Sequence, residues 1–335
     1  MDELDLIRSF RADTSPPSAL ATARAERAWR RPEPRRPRWS GRLAIAACVA
    51  AAATTAALVI PGERDTRLGT SAASAAGTLR LAAKSQEGGL LRPLRAGEFF
   101  YVRTKTAWSM GGDVEGAYTV IAPGVRESWV AIDGERRFRT RPDGPIRFPG
   151  PRDRTRWEAA GSPPGVVSSD HHEPAPKQGP FYLGGEPMSY AELLALPRKA
   201  RALYRRVRQE AVDCECGHSV DNETFVIIGD LMRENPIPAD LEAALLRAAA
   251  LIPGIKLIGA ERDVAGRLGV GVAVDYAGHR NILIFDRKTH ELLGENERLL
   301  ERKNYVDGDP GELVSGSAVL ASRVVDSLRE PTVTK

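Results

Sequence analysis

One stretch constrains this chain more than any other: Leu43 to Ile60, eighteen residues without a charge, nine of them Ala. As an α-helix rising about 1.5 Å per residue it reaches about 27 Å, close to the roughly 30 Å hydrocarbon thickness of a bilayer. Its flanks are unequal. Arg30, Arg31, Arg35, Arg36, Arg38 and Arg42 precede it, with Trp39 placed as an interface anchor, and Pro61-Gly62 follows it. Basic residues mark the cytoplasmic side of a span. The expectation is therefore an uncleaved signal anchor at 43–60, a cytoplasmic basic tail at 1–42 and an extracytoplasmic remainder, a single-pass protein of the cell membrane. Two other readings compete: a cleaved signal peptide, for which Ser71 to Gly77 offers small residues, and a buried Ala-rich helix. A signal peptide has a short charged segment before its apolar run, whereas 42 residues precede this one.

Charge distribution supports the same division. The whole chain of 335 residues carries a formal +4, and residues 1–42, with ten Arg and six acids, account for all of it. The remainder is neutral, which argues against a nucleic-acid partner, since phosphate binding requires an excess of cations on the binding domain.

The tail opens MDELDLIRSF, where Leu4, Ile7 and Phe10 stand at helical spacing behind acids that suit a helix N-terminus. That face is a candidate grip for a cytosolic partner, such as a sigma factor, against the plainer reading of a topogenic tail. Without Cys or His in residues 1–42, it cannot be a zinc-binding anti-sigma domain.

Beyond the span the pattern reads as α+β: a curved antiparallel sheet packed on helices. Residues 61–96 are expected to form a stalk with an Ala-rich helix at about 70–85, and residues 97–330 the extracytoplasmic domain. Glu98 to Thr104 alternates, with Phe99 and Tyr101 on one face and Phe100 and Val102 on the other. Arg126–Ile132 and Glu135–Thr140 flank Asp133-Gly134, a strong short hairpin signal. Residues 141–188 hold ten Pro and seven Gly, a density that predicts a long surface loop. Ser189-Tyr-Ala-Glu192 is a capping box opening helices to about Ala211, interrupted at Pro197. Further helices are expected at about 221–233 and from Pro238 to Pro253-Gly254, then a meander at Lys256–Arg262, Gly269–Tyr276, Asn281–Asp286 and Glu291–Leu299.

Several long segments, MDELDLIRSFRAD, GEFFYVRTKT, ESWVAIDGERRFR, FVIIGDLMRENPIPADLEAALLRAAALIPGIKLIG, DVAGRLGVGVAV and LIFDRKTHELLGE, resemble in order a family of actinobacterial single-pass membrane proteins of uncharacterised function. The resemblance implies an envelope location and association with sigma-factor genes; it brings no catalytic residues. More remotely, the helix, the paired strands and the meander ending in the FDRKT turn look similar to the LolA and RseB type of half-barrel, which implies a lipid or lipoprotein acyl-chain ligand. Cys214-Glu-Cys-Gly-His218 and the long Pro/Gly segment depart from that pattern.

No nucleophile elbow, phosphate loop, HExxH, GxGxxG or EF-hand loop occurs, so no enzyme and no cofactor is expected. Four weaker constellations remain. Cys214, Cys216 and His218, with Asp213, could hold a soft metal, against a loop with a short disulfide or two free thiols. Asp170-His171-His172-Glu173 is a second metal candidate, against a solvated loop. Asp307-Gly-Asp309-Pro-Gly-Glu312 has a calcium turn's composition without its spacing. Arg137, Arg139 and Arg141 alternate onto one strand face, either solvated or in contact with an anionic lipid or wall polymer. The functional expectation is a membrane-anchored binding or sensing protein with a lipid or lipoprotein ligand. The alternatives are a sigma-factor regulator acting through the tail and an envelope hydrolase using His218, His279 or His290.

Overall fold

A computed structural model describes residues 72–86, 92–111, 118–173, 181–214, 219–303 and 306–329. The face of Leu4, Ile7 and Phe10, the segment 43–60, Cys216 and His218 lie outside the described residues. No helix among the described residues is long and apolar enough to cross a membrane.

Large apolar side chains on both sides of Phe99–Val102 require cover on both sides, which suits the middle of a sheet. Strand β1 (Phe99–Gly111) occupies that place, paired with β2 (Thr119–Ala131) on one flank and with β11 (Leu313–Val325) on the other. The chain then runs outward through β3 (Arg136–Pro142) to the edge strand β4 (Ser169–Glu173). The β2–β3 turn closes at Asp133-Gly134, where Gly134 takes φ +99°, a left-handed conformation that costs a glycine little.

A helical crossover reaches the far edge. It comprises a small hairpin, β5 (Phe181–Leu183) and β6 (Glu186–Met188), then helices α3 (Tyr190–Ala195), α4 (Ala200–Asp213), α5 (Val220–Glu234) and α6 (Ala239–Ala249). Local signals set these limits: both bonds of the Ser189/Glu192 capping box are made, Ser189 accepting from Glu192 N–H and Glu192 accepting from Ser189 N–H. Pro238 caps α6. The strands β7 (Lys256–Arg262), β8 (Leu268–Tyr276), β9 (His279–Phe285) and β10 (Leu292–Leu299) meander back, and β11 fills the gap between β10 and β1. The result is one antiparallel sheet in the order β4-β3-β2-β1-β11-β10-β9-β8-β7. Register shifts at Arg103/Thr104, Leu257/Gly259, Leu292/Gly294 and Glu297/Arg298 are bulges, which bend strands and raise local twist.

The two faces have separate cores. Phe100, Val102 and Val130 join Phe225, Ile228, Leu241, Leu245, Val272 and Leu283 in the main core between the sheet and the helices. On the opposite face Phe99, Tyr101, Trp129 and Ala131 form a second cluster, covered by Leu328. A third, around Ala273, Ile282 and Ile284, lies on the small-residue face of β8.

Two expectations are corrected, and one strand was not foreseen. Helix α1 (Ala72–Gln86), read as part of a stalk, belongs to the domain: Ala75, Leu79, Ala82 and Ala83 are buried in the main core and α1 packs on α6. Apolar side chains at i, i+4, i+7 and i+8, three of them Ala, give it a narrow face suited to close packing. Residues 141–188 are not one loop. They contain α2 (Pro151–Ala159), β4, β5 and β6, and bury Asp153, Phe181, Leu183 and Met188. Asp153 explains how a Pro-rich segment stays folded, since its carboxylate accepts from the backbone N–H of Thr119 at 2.8 Å and of Asp307 at 3.0 Å. Finally, the sequence Leu313–Val325 carries the strand that unites the sheet, although Ser315-Gly316-Ser317-Ala318 has little of the β-branched content by which strands are recognised.

Candidate functional site: a cavity beneath helix α5

Side chains alternate along a strand, so one set from β1 and β2 faces the helices: Val102, Thr104, Thr106 and Trp108, with Arg126, Ser128 and Val130. Across the register Val102 stands beside Ser128 and Ser128 beside Phe138, while Thr104 stands beside Arg126. Helix α5 covers β8–β10 closely but leaves this half of the sheet open. A cavity of about 620 Å³ lies between them, with α5 and the β5–β6 hairpin as its roof. Its apolar wall is Val102, Trp108, Val130, Phe138, Phe181 and Ile227; Thr104, Thr106, Ser128 and Ser317 line it with hydroxyls. A smaller cavity of about 250 Å³ lies under the other side of α5, against β8–β11, and shares Glu223, Asp230 and Glu295 with the first.

Between the two, Arg233 of α5 pairs with Asp230 at 2.6 Å, with Glu234 at 3.2 Å and with Glu295 of β10. Burial opposes the charge of Arg233, but Glu295, Asp230 and Glu234 outweigh it and raise its pKa. Burial pushes Asp230 up to about 7, with Glu295 and Glu234 acting in the same direction against the attraction of Arg233. Its side chain is 46% exposed and lines both cavities, so the carboxyl keeps contact with solvent.

The lining cations divide into held and unheld. Arg136 donates to Glu173 at 2.5 Å, and Arg233 is held as described. Arg126 has its guanidinium carbon 4.8 Å from the Phe138 ring centre and no carboxylate within ion-pair distance among the described residues.

The sequence-derived candidates fall elsewhere. Arg137, Arg139 and Arg141 share the opposite face of the sheet, and each meets a carboxylate. Arg137 grips Asp170 with two bonds, at 2.7 and 2.5 Å. Arg139 and Arg141 donate to the fully buried Glu127 at 2.8 and 2.9 Å, and Glu127 also accepts from Tyr101 Oη at 2.7 Å. This is the physical reason the stripe is less available to an external anion than its spacing suggests. Asp170 to Glu173 belong to the edge strand β4 and not to a loop, but stay solvated there: all but Glu173 are exposed, with His172 2.8 Å from Glu135 and Glu173 on Arg136. Asp307 accepts from Arg152 N–H at 2.9 Å and Asp309 pairs with Arg302. His279 is buried, 2.9 Å from Glu297 and stacked on Tyr276; His290 sits in the β9–β10 turn at φ +60°. Cys214 lines the cavity and is disulfide-bonded, its partner lying outside the described residues. Among the described residues no group of three or more His, Cys, Asp or Glu could hold a metal ion.

Sequence reasoning missed Arg126, Glu127, Asp230, Arg233 and Glu295. Glu127 carried a signal: it alternates with Trp129 on a face that Phe99 and Tyr101 require to be buried, and an acid there calls for a cation.

The fold and cavity thus define an α+β protein with a nine-stranded antiparallel sheet and a ligand-sized space on its helical face. No family model and no curated protein matches the sequence. Solved structures similar to it include the MucA/MucB complex of Pseudomonas aeruginosa, with 12% identity over 75% of this chain and 56% of that one and a TM-score of 0.23. A crystal structure of MucB is similar at 14% identity over 78% of this chain and 61% of that one, with a TM-score of 0.21. The chain spans less than two thirds of the length of either.

Proposed function

We propose that the domain is a binding or sensing module of the LolA/RseB half-barrel type that takes an elongated amphiphile, a lipid or the acyl chain of a lipoprotein, between its sheet and α5. One observation carries this reading: the cavity of about 620 Å³ lies within the ~300–1,000 Å³ of small-ligand sites and combines an apolar wall with a few polar groups, as such sites do. We read the protein as a binder and not an enzyme, tethered by residues 43–60 with the domain on the outer side of the cell membrane. The charge asymmetry around that segment supports the orientation.

The test is native mass spectrometry and lipid extraction of the full chain purified without added lipid. Retention of a stoichiometric amphiphile supports the reading. A chain that neither retains one nor binds an added fluorescent acyl probe refutes it.

A further inference from the structure

The cavity is electrically polarised. Glu223, Asp230, Glu234 and Glu295 line its α5 and β10 side, where Arg233 answers only part of their charge; Arg126 and Arg136 line the opposite side, on β2 and β3. Of these cations only Arg126 lacks a carboxylate among the described residues. Its guanidinium carbon lies 4.8 Å from the centre of the Phe138 ring, a cation–π contact that leaves the N–H donors without a carboxylate. Thr104 is its direct neighbour across the β1–β2 register, at the roughly 4.5–5.5 Å Cβ spacing of such pairs. Ser128 lies two residues along the same face. The side chains of Thr104 and Ser128 make no hydrogen bond to the protein among the described residues, and both line the cavity. Two hydroxyl donors and a guanidinium without an acceptor therefore converge beside the apolar wall of Val102, Val130 and Phe138. A partly desolvated cation in this position is better matched by an anion than by water.

We propose that Arg126 is the anion-recognition residue of the cavity, receiving the carboxylate of a single-chain amphiphile between the Thr104 and Ser128 hydroxyls while the chain lies along the apolar wall. The inference rests on the binding reading above and narrows it to ligands of one charge.

Isothermal titration of the full chain with octanoate, 1-octanol and octylammonium tests it, in wild type and in Arg126→Met and Arg126→Lys. A charge-assisted contact of this kind predicts that octanoate binds about tenfold or more tightly than octanol. Arg126→Met abolishes the preference of octanoate over octanol, with its thermal midpoint reporting the fold; Arg126→Lys keeps much of the preference. Should either variant fail to fold, the wild-type comparison of the three probes decides. Equal binding of octanoate and octanol, tighter binding of octylammonium, or a carboxylate preference that survives in Arg126→Met overturns this proposal and leaves the binding reading standing. If none of the three probes binds, this inference falls, while the binding reading is decided by the retention and acyl-probe tests above.

Discussion

Arg233 on α5 and Glu295 on β10 are joined by an ion pair at the place where the helix stops packing on the sheet. Across the register, Thr106, Ser317, Glu295, Leu283, Val272 and Leu257 form one row from β1 to β7. Its apolar half, Leu283 to Leu257, belongs to the main core; its hydroxyl half faces the cavity. The pair thus marks the border between packed and open halves and ties α5 to β10 there. Arg233→Met leaves Asp230, Glu234 and Glu295 facing one another without a cation. Full burial of such a break costs several kcal/mol, and partial exposure of the acids reduces it to about 2 kcal/mol. Urea unfolding of the variant measures this loss.

Asp230 links that border to pH. A carboxyl raised from its ordinary 3.8 to about 7 binds its proton more tightly in the native state than in the unfolded chain. Its contribution to stability is full below the ordinary value and is lost as pH rises to about 7. Glu242, raised by burial and by Glu291 to about 7, acts in the same sense. Asp170 and Asp275 act oppositely: Arg137 lowers the first, and Arg280 with Lys256 lowers the second, so their contributions fade as pH falls. Subtracting the unfolding free energy of Asp230→Asn from that of wild type isolates one group. The difference should fall between about pH 4 and pH 7 and stay flat above, and urea midpoints at pH 4.5, 6 and 8 are sufficient to follow it.

Glu127 is the charge on which the opposite face depends. With no exposed surface, it accepts from Tyr101, Arg139 and Arg141. Removing one partner of a buried pair strands the other, so Glu127→Ala should destabilise the domain by about 3 kcal/mol, measurable by thermal unfolding. Exposed Arg137 and its partner Asp170 should matter far less: Asp170→Asn is expected to lower stability by less than about 1 kcal/mol.

Gly294 shows why a small residue stands at a strand junction. A Cβ there would lie 2.0 Å from the carbonyl oxygen of Ser317 and 2.9 Å from the Cα of Ala318, both backbone atoms of β11. Gly294→Ala must push β10 away from β11, which predicts a loss of about 2 kcal/mol by the cost of overpacking. Faster amide exchange confined to β10 and β11 would show that the strain is local.

Local chemistry made much of this fold legible in the sequence. Asp133-Gly134, Ser189 with Glu192, Pro238 and the alternation of Val270 to Tyr276 each act within a few residues, and the turns and helix ends they predict are where the structure has them. What stayed hidden depends on distant partners. Strand β11 is held by β1 and β10 and not by its own Ser- and Gly-containing sequence. Helix α2 did have a signal, Pro151 at its first turn with Asp153 following, but the surrounding prolines masked it, and Asp153 draws its meaning from Thr119 and Asp307. The cavity was invisible for the same reason: Arg126 and Ser128 look like the polar half of an amphipathic strand until α5 and the β5–β6 hairpin roof them.

The central claim is that the space beneath α5 holds a ligand, and filling it is the most direct test. Ser128 lies on the open face between Val102 and Phe138, so Ser128→Trp projects an indole into the cavity. Equilibrium titration of the full chain with a fluorescent acyl probe should show saturable one-site binding to wild type. Affinity should fall at least tenfold for Ser128→Trp, about 1.4 kcal/mol or more, with the thermal midpoint retained. Equal affinity of the two proteins, or no saturable binding to wild type, would contradict the account.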